Sequence, residues 1–228
     1  MSSKRYNSLP KETKKLKKDT FEKLIDSVKK NCTSKFDESI DIHMQLNVKQ
    51  KKGEVNLRTA VNLPSGTGKK TKVAVVCEES KLSEAKKSGA DVIGSDDLIK
   101  EISTGKINFE KLIATPGMMI KLSKLGKILG PKGLMPNPKL GTVSDNVIET
   151  VKASKLGQIE IKNDKDGNLG FTVGKKSFSN ENLIKNFKAV LETMQKEKPS
   201  GVKGNFIKNI FITSTMGVSY KLKLDKNF

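Results

Sequence analysis

Tryptophan is absent from this 228-residue chain, histidine occurs once, cysteine twice, and only Arg5 and Arg58 among its 44 basic residues are arginine. Each scarcity closes off some chemistry. Cys32 and Cys77 stand far apart in sequence with His43 as the sole imidazole, which makes neither a disulfide framework nor a metal-ligand cluster. No metal or cofactor is expected. Ser-His-Asp or Cys-His catalysis would have to run through His43. That residue shares the polar side of the alternating segment SIDIHMQLNV with Asp41 and Gln45, the setting of a solvated strand histidine. Aromatics are 5% of the chain, too few for the stacking platform that grips single strands. No run of about 18 apolar residues occurs, nor an apolar signal core near the N-terminus, so a soluble, cytoplasmic protein is expected.

What the chain has in excess is positive charge, formally +19. Such a surplus opposes compaction unless a polyanion neutralises it, and it speeds encounter with nucleic acid. Lysine meets phosphate as a point charge, whereas arginine offers the planar fork of bidentate base reading. The lysine-dominated composition therefore favours backbone and shape recognition of a folded RNA, although a genome-wide lysine bias would give the same composition. The lysine-rich segment 4–18, with Pro10 near its start, reads as a flexible arm or poorly packed helix.

Between Lys111 and Ser144 there is no acidic residue, while Lys121, Lys124, Lys127, Lys132 and Lys139 all lie there. Gly130, Met135 and Asn137 each precede a proline, so residues 130–138 cannot form a helix interior or central strand. A stiff, cationic, exposed loop is expected. A rigid connector with solvated lysines is the competing reading.

Two kinds of sheet are legible. From Ser39 to Val48 the even positions Ile40, Ile42, Met44, Leu46 and Val48 are apolar, and Val218, Tyr220, Leu222 and Leu224 repeat the alternation. Period two means one covered and one open face. A capping box of Asp19 and Glu22 opens a helix bearing Phe21, Leu24, Ile25 and Val28. A second helix bears Leu183, Ile184, Phe187, Val190, Leu191 and Met194, and Pro199 limits it. The middle differs: residues 73–77, 92–93 and 112–114 are continuous apolar runs with helices over 82–87 and 96–102 between them. Strands buried on both faces with helical crossovers imply a Rossmann-like parallel sheet. A further helix with Val147, Ile148 and Val151 stops at Gly157.

Two motifs mislead. PSGTGKKT resembles a phosphate-binding loop, but Leu63 stands where the first glycine is required and a strand follows instead of a helix. The first middle strand ends in Cys77-Glu78-Glu79-Ser80, with two acids where a dinucleotide pyrophosphate would sit. An enzyme taking a small phosphorylated ligand and a nucleic-acid chaperone acting by charge alone are the rival readings.

The run GxxLGPKGLMPNPKxGTV over residues 126–143 resembles the signature of the large-subunit ribosomal protein L-one family, whose bacterial members belong to the mobile ribosomal stalk. KFDES at 35–39, LPSGTG at 63–68, NDKDG at 163–167 and TMG at 215–217 match in the family's order, so the resemblance spans nearly the whole chain. It implies an α/β protein of two domains. Residues 1–66 and 157–228 would form a split domain with a mostly antiparallel, open-faced sheet; residues 67–156 would be an inserted Rossmann-like domain. Crossings fall near 63–70 and 155–158, with Pro64, Gly66, Gly68 and Gly157 as hinge residues.

The resemblance also implies a noncatalytic constituent of the large ribosomal subunit, monomeric off the ribosome. Its split domain would bind stalk ribosomal RNA, and the free protein would repress its own operon messenger. Matching positions make Lys35, Phe36, Glu38 and Ser39 expected RNA contacts; Phe36 serves equally well as a core residue. Asn209, Thr213, Thr215, Met216 and Gly217 are further candidates, with Asn209, Phe211, Thr213 and Thr215 on one strand face. The threonines are also ordinary strand residues. Asn163, Asp164, Lys165 and Gly167 suit a plain turn, and the family places them near RNA together with Gly174 and Lys175. Gly170 stands where bacterial members commonly carry histidine, with Phe171 beside it as a partial substitute. Lys132 and Lys139 are the residues expected to meet exit-site transfer RNA.

Overall fold

The computed structural model describes residues 4–9, 20–47, 57–198 and 205–223. The chain divides into two compact units, Met1–Gly68 with Ile159–Phe228, and Lys69–Gln158. In chain order the elements begin with α1 (Lys4–Ser8), α2 (Phe21–Lys30), β1 (Ser39–Leu46) and β2 (Arg58–Asn62). The middle unit holds β3 (Val73–Val76), α3 (Leu82–Lys87), β4 (Val92–Gly94), α4 (Asp96–Ser103), β5 (Lys111–Ala114), α5 (Met119–Ser123), α6 (Gly126–Leu129) and α7 (Val147–Leu156). The chain returns through β6 (Gln158–Lys162), β7 (Asn168–Lys175), α8 (Asn180–Lys196), β8 (Ile207–Ser214) and β9 (Tyr220–Lys221).

In the terminal unit, β1 lies inside an antiparallel sheet of order β7-β1-β8-β9. Ile40, Ile42, Met44 and Leu46 are buried and His43 is exposed, as the alternation requires when one face is covered. α2 and α8 supply the cover. Leu24, Ile25 and Val28 of α2 join Leu183, Phe187, Val190, Leu191 and Met194 of α8 in one core with the strands. Each such side chain contributes about 1.5–3 kcal/mol on burial. Phe21 stacks on Phe187 with ring centroids 4.0 Å apart. Strands β2 and β6 pair separately.

Two details differ from expectation. Thr20 occupies the cap position of α2 without a side-chain cap bond. The anticipated partner Asp19 lies outside the described residues, as do Val48, Pro199, Leu224 and residues 10–18 of the arm. The final strand covers only Tyr220–Lys221, following a turn at residues 215–217; Tyr220 and Leu222 are still buried.

The middle unit is a parallel sheet of order β4-β3-β5. Its central strand β3 is buried at every position. α7 ends at Gly157, whose φ of +108° is the left-handed cap that glycine adopts cheaply. The cationic segment is more structured than a loop: a 3-10 turn (Pro116–Met118), α5 and α6 precede the proline-rich turn. Leu122, Leu125 and Leu129 are buried in the middle unit's core, with Ile128, Leu134 and Met135 packed against it. The segment closes on its starting strand, Ala114 N donating to Thr142 O and Ser144 N to Ala114 O. Lys124, Lys127, Lys132 and Lys139 stay exposed, while Lys121 pairs with Asp96 at 2.7 Å. Buried Pro136 and the leucines anchor the backbone while these lysines face solvent.

Candidate nucleic-acid interface

The open face of the four-stranded sheet collects polar side chains from three strands. Register places Asp41 between Thr213 and Thr172, His43 between Phe211 and Gly170, and Gln45 between Asn209 and Asn168. Thr172 donates to Asp41 at 2.6 Å and Asn209 to Gln45 at 2.7 Å. Lys221 lies 5.8 Å from the Phe211 ring centroid. From Ser39 to Gln45 the face extends about 20 Å along the strand.

At one end of this face the expected contact residues converge. Ser39 is opposite Lys175, and Ile40 is opposite Ser214. Ser39 N donates to Thr215 Oγ1 at 3.0 Å, while Thr215 N donates to Ser39 O at 3.1 Å. Phe36 is 53% exposed and Met216 48% exposed, a large apolar surface for either residue to leave in water. The core alternative for Phe36 is excluded. Lys35, Thr215 and Lys175 accompany them, the first two exposed and the last half-buried.

Beneath these groups lies Glu38, which is 0% exposed. This corrects the expectation that it meets RNA directly. Its carboxylate accepts from Ser34 N at 3.0 Å and Met216 N at 3.1 Å. Burial pushes its pKa up, but these amides and the Ser214 and Ser34 hydroxyls outweigh that and hold it below the usual carboxylate value. The charge therefore fastens the 34–39 loop to the 215–217 turn. Asp37 fixes the other flank, accepting from Ser177 N at 3.1 Å and Ser177 Oγ at 2.8 Å. Lys175 Nζ reaches Asp37 O at 3.3 Å.

Glycines set how closely these strands pack. A Cβ on Gly217 would fall 2.2 Å from Ser214 Oγ, and one on Gly174 would fall 2.8 Å from Leu183 Cδ2. Gly174 is therefore an inward packing position and not a contact, a second correction. Its orientation follows from the irregularity between Ile40 and Asp41 where β1 meets β7, which leaves Val173 and Gly174 both buried.

At the far end of the face, Asp164 organises the 163–167 turn. Its Oδ1 accepts from Asn168 N at 2.7 Å and Asp166 N at 3.0 Å, and the Asn168 bonds lead in holding its pKa down. Asn163 is buried, contrary to a contact role, whereas Lys165 is exposed. Phe171 is also buried, opposite Ile42, so it offers no substitute ring on the open face. Instead His43 lies over Gly170, its Nδ1 3.2 Å from where a Cβ would be.

Of the expected hinge residues, Gly66 and Gly68 have φ of +72° and +73°. The stretch is tied within the terminal unit. Fully buried Asn186 accepts from Ser65 N at 2.9 Å and donates to Gly66 O at 2.9 Å and Val173 O at 2.7 Å. Sequence reasoning missed this amide and the Glu38 clamp; it placed Asp41, His43 and Gln45 on the polar strand face but not among the candidate contacts. A buried polar residue at Asn186, within the apolar stripe of α8 at Leu183, Phe187 and Val190, was the available signal.

Comparison with known proteins adds a consistent result. The model of the Ribosomal protein L1p/L10e family matches residues 28–218. Large ribosomal subunit protein uL1 of Pelagibacter ubique is 64% identical over 227 residues, covering 99% of each chain. The uL1 protein of Kosmotoga olearia is 46% identical over 98% of this chain and 97% of its own. Protein uL1c of Phaeodactylum tricornutum is 44% identical over the same shares.

Proposed function

The chain belongs to the ribosomal protein L1p/L10e family and is a structural constituent of the large ribosomal subunit, and within that particle we propose that the open sheet face of its terminal unit grips stalk ribosomal RNA. The observation that carries this reading is the convergence of exposed Phe36 and Met216 with Thr215 and Ser39 over a buried clamp. An apolar pair left in water beside hydroxyls and lysines matches what a folded RNA offers: ribose and base faces, 2′-hydroxyls and phosphates. Lys35, Lys165 and Lys175 supply phosphate contacts; Thr213, Asn209 and Thr215 supply neutral donors and acceptors. Glu38, Asn163, Asp164, Gly174 and Gly217 shape the backbone that presents them.

In the middle unit, Lys132 and Lys139 meet transfer RNA leaving the exit site, with Gly68 and Gly157 as the pivots of the stalk protein. Released from the ribosome as a monomer, the protein uses the same face to bind its operon messenger and repress it. The test is protection of large-subunit RNA from cleavage by the purified chain. A discrete protected junction in the stalk region is expected; uniform coverage would show that charge alone drives binding.

A further inference from the structure

Lysine supplies nearly every cation of this chain, and both arginines, Arg5 and Arg58, hold acceptors on other segments of the terminal unit. Both make side-chain bridges. Arg58 Nε pairs with Glu160 at 2.6 Å. Arg5 reaches two loops at once: Nη1 donates to Thr33 Oγ1 at 2.7 Å and Nη2 to Met216 O at 2.5 Å. An ammonium cannot hold two acceptors in the fixed divergence of a guanidinium.

The second contact is informative because of where it falls. Met216 N donates to buried Glu38 and Met216 O accepts from Arg5. Both backbone polar groups of one residue are thus held by charged side chains, while its own side chain stands in solvent. Thr33 adjoins Ser34, the other residue whose amide Glu38 holds. Arg5 therefore spans the same two loops as Glu38.

Resting on the RNA-binding reading above, we propose that Arg5 is a positioning residue of the interface. Helix α1 acts as a strap whose guanidinium fixes the 215–217 turn against the 33–39 loop before RNA arrives. Its contribution is geometric, made through Met216, and not a phosphate contact. Ordering the turn in advance removes an entropic cost that binding would otherwise carry.

The experiment measures affinity of the full chain and Arg5→Lys for the protected ribosomal RNA fragment and for an unrelated structured RNA of equal length, across a salt series. Charge is conserved in this variant, so the salt slope and the unrelated affinity should not move. Affinity for the cognate fragment should fall about tenfold, with Arg5→Ala falling equally. Wild-type affinity in Arg5→Lys would overturn the proposal. So would a slope lowered by about one in Arg5→Ala and restored by lysine, the mark of a phosphate contact. A lowered thermal midpoint with unchanged affinity would also overturn it, leaving Arg5 as a fold contact only. Should Arg5→Lys not fold, Thr33→Val carries the test: a severalfold cognate loss supports the strap, and unchanged affinity contradicts it. Failure of the wild-type chain to tell the two RNAs apart would sink the RNA reading itself, independently of Arg5.

Discussion

The amide of solvent-facing Met216 donates to the fully buried carboxylate of Glu38 at 3.1 Å. A charge without exposure thus sets the pose of a side chain with much of it. Replacing Glu38 by Gln keeps the shape but turns a donor toward one of the two amides it holds. Stability should fall by about 1–3 kcal/mol, the cost of leaving a buried group unpaired, as read from urea midpoints at pH 7.

The same carboxylate dictates a pH dependence. Its folded pKa lies below the ordinary value, so its contribution is complete above the unfolded carboxylate pKa of about 4.3 and lost as pH falls through the folded value. Urea midpoints of the native chain and Glu38→Gln should therefore converge under acid. A constant gap down to pH 3 would show that the ionised form is not what stabilises the loops.

Glycine substitutions separate packing from conformation. Gly174→Ala places a methyl 2.8 Å from Leu183 Cδ2 and 2.9 Å from Phe178 Cδ2, and should cost about 1–3 kcal/mol as an overpacked core position. Gly126→Ala, with nothing within 4 Å and a place in α6, should be neutral or stabilising by up to about 1 kcal/mol. Thermal midpoints of the two variants check the contrast.

Asn186→Leu removes three bonds that tie Ser65, Gly66 and Val173 to α8. A loss of about 1–3 kcal/mol is expected, with faster amide exchange at Ser65 than in the native chain. Unchanged protection there would mean that the crossing is held by other contacts.

Much of this was written in the sequence because it depends on period. The alternation of β1, the unbroken run of β3 and the spacing on α8 each report which faces are covered. Residues whose roles arise from distant partners were harder to read. Glu38 sits beside a strand start like any surface acid; its burial follows from an amide at Met216, brought close only when β1 pairs with β8. Gly174 is expected near RNA from the resemblance alone, and nothing local in the sequence announces the irregularity between Ile40 and Asp41 that leaves it buried beside Val173. The lysine segment reads as a loop because its prolines are conspicuous, whereas the leucines that anchor α5 and α6 are not.

The central claim is that surface shape around Phe36, Thr215 and Met216 selects one RNA, with the net charge only assisting. Competition binding at physiological salt between a stalk ribosomal RNA fragment and an unrelated folded RNA, for the native chain and the double variant Thr215→Ala, Met216→Ala, tests it most directly. The native chain should prefer the stalk fragment, and the variant should lose about 1 kcal/mol or more of that preference while binding the unrelated RNA as before. Equal binding of both RNAs by the native chain, or an undiminished preference in the folded variant, would contradict the account.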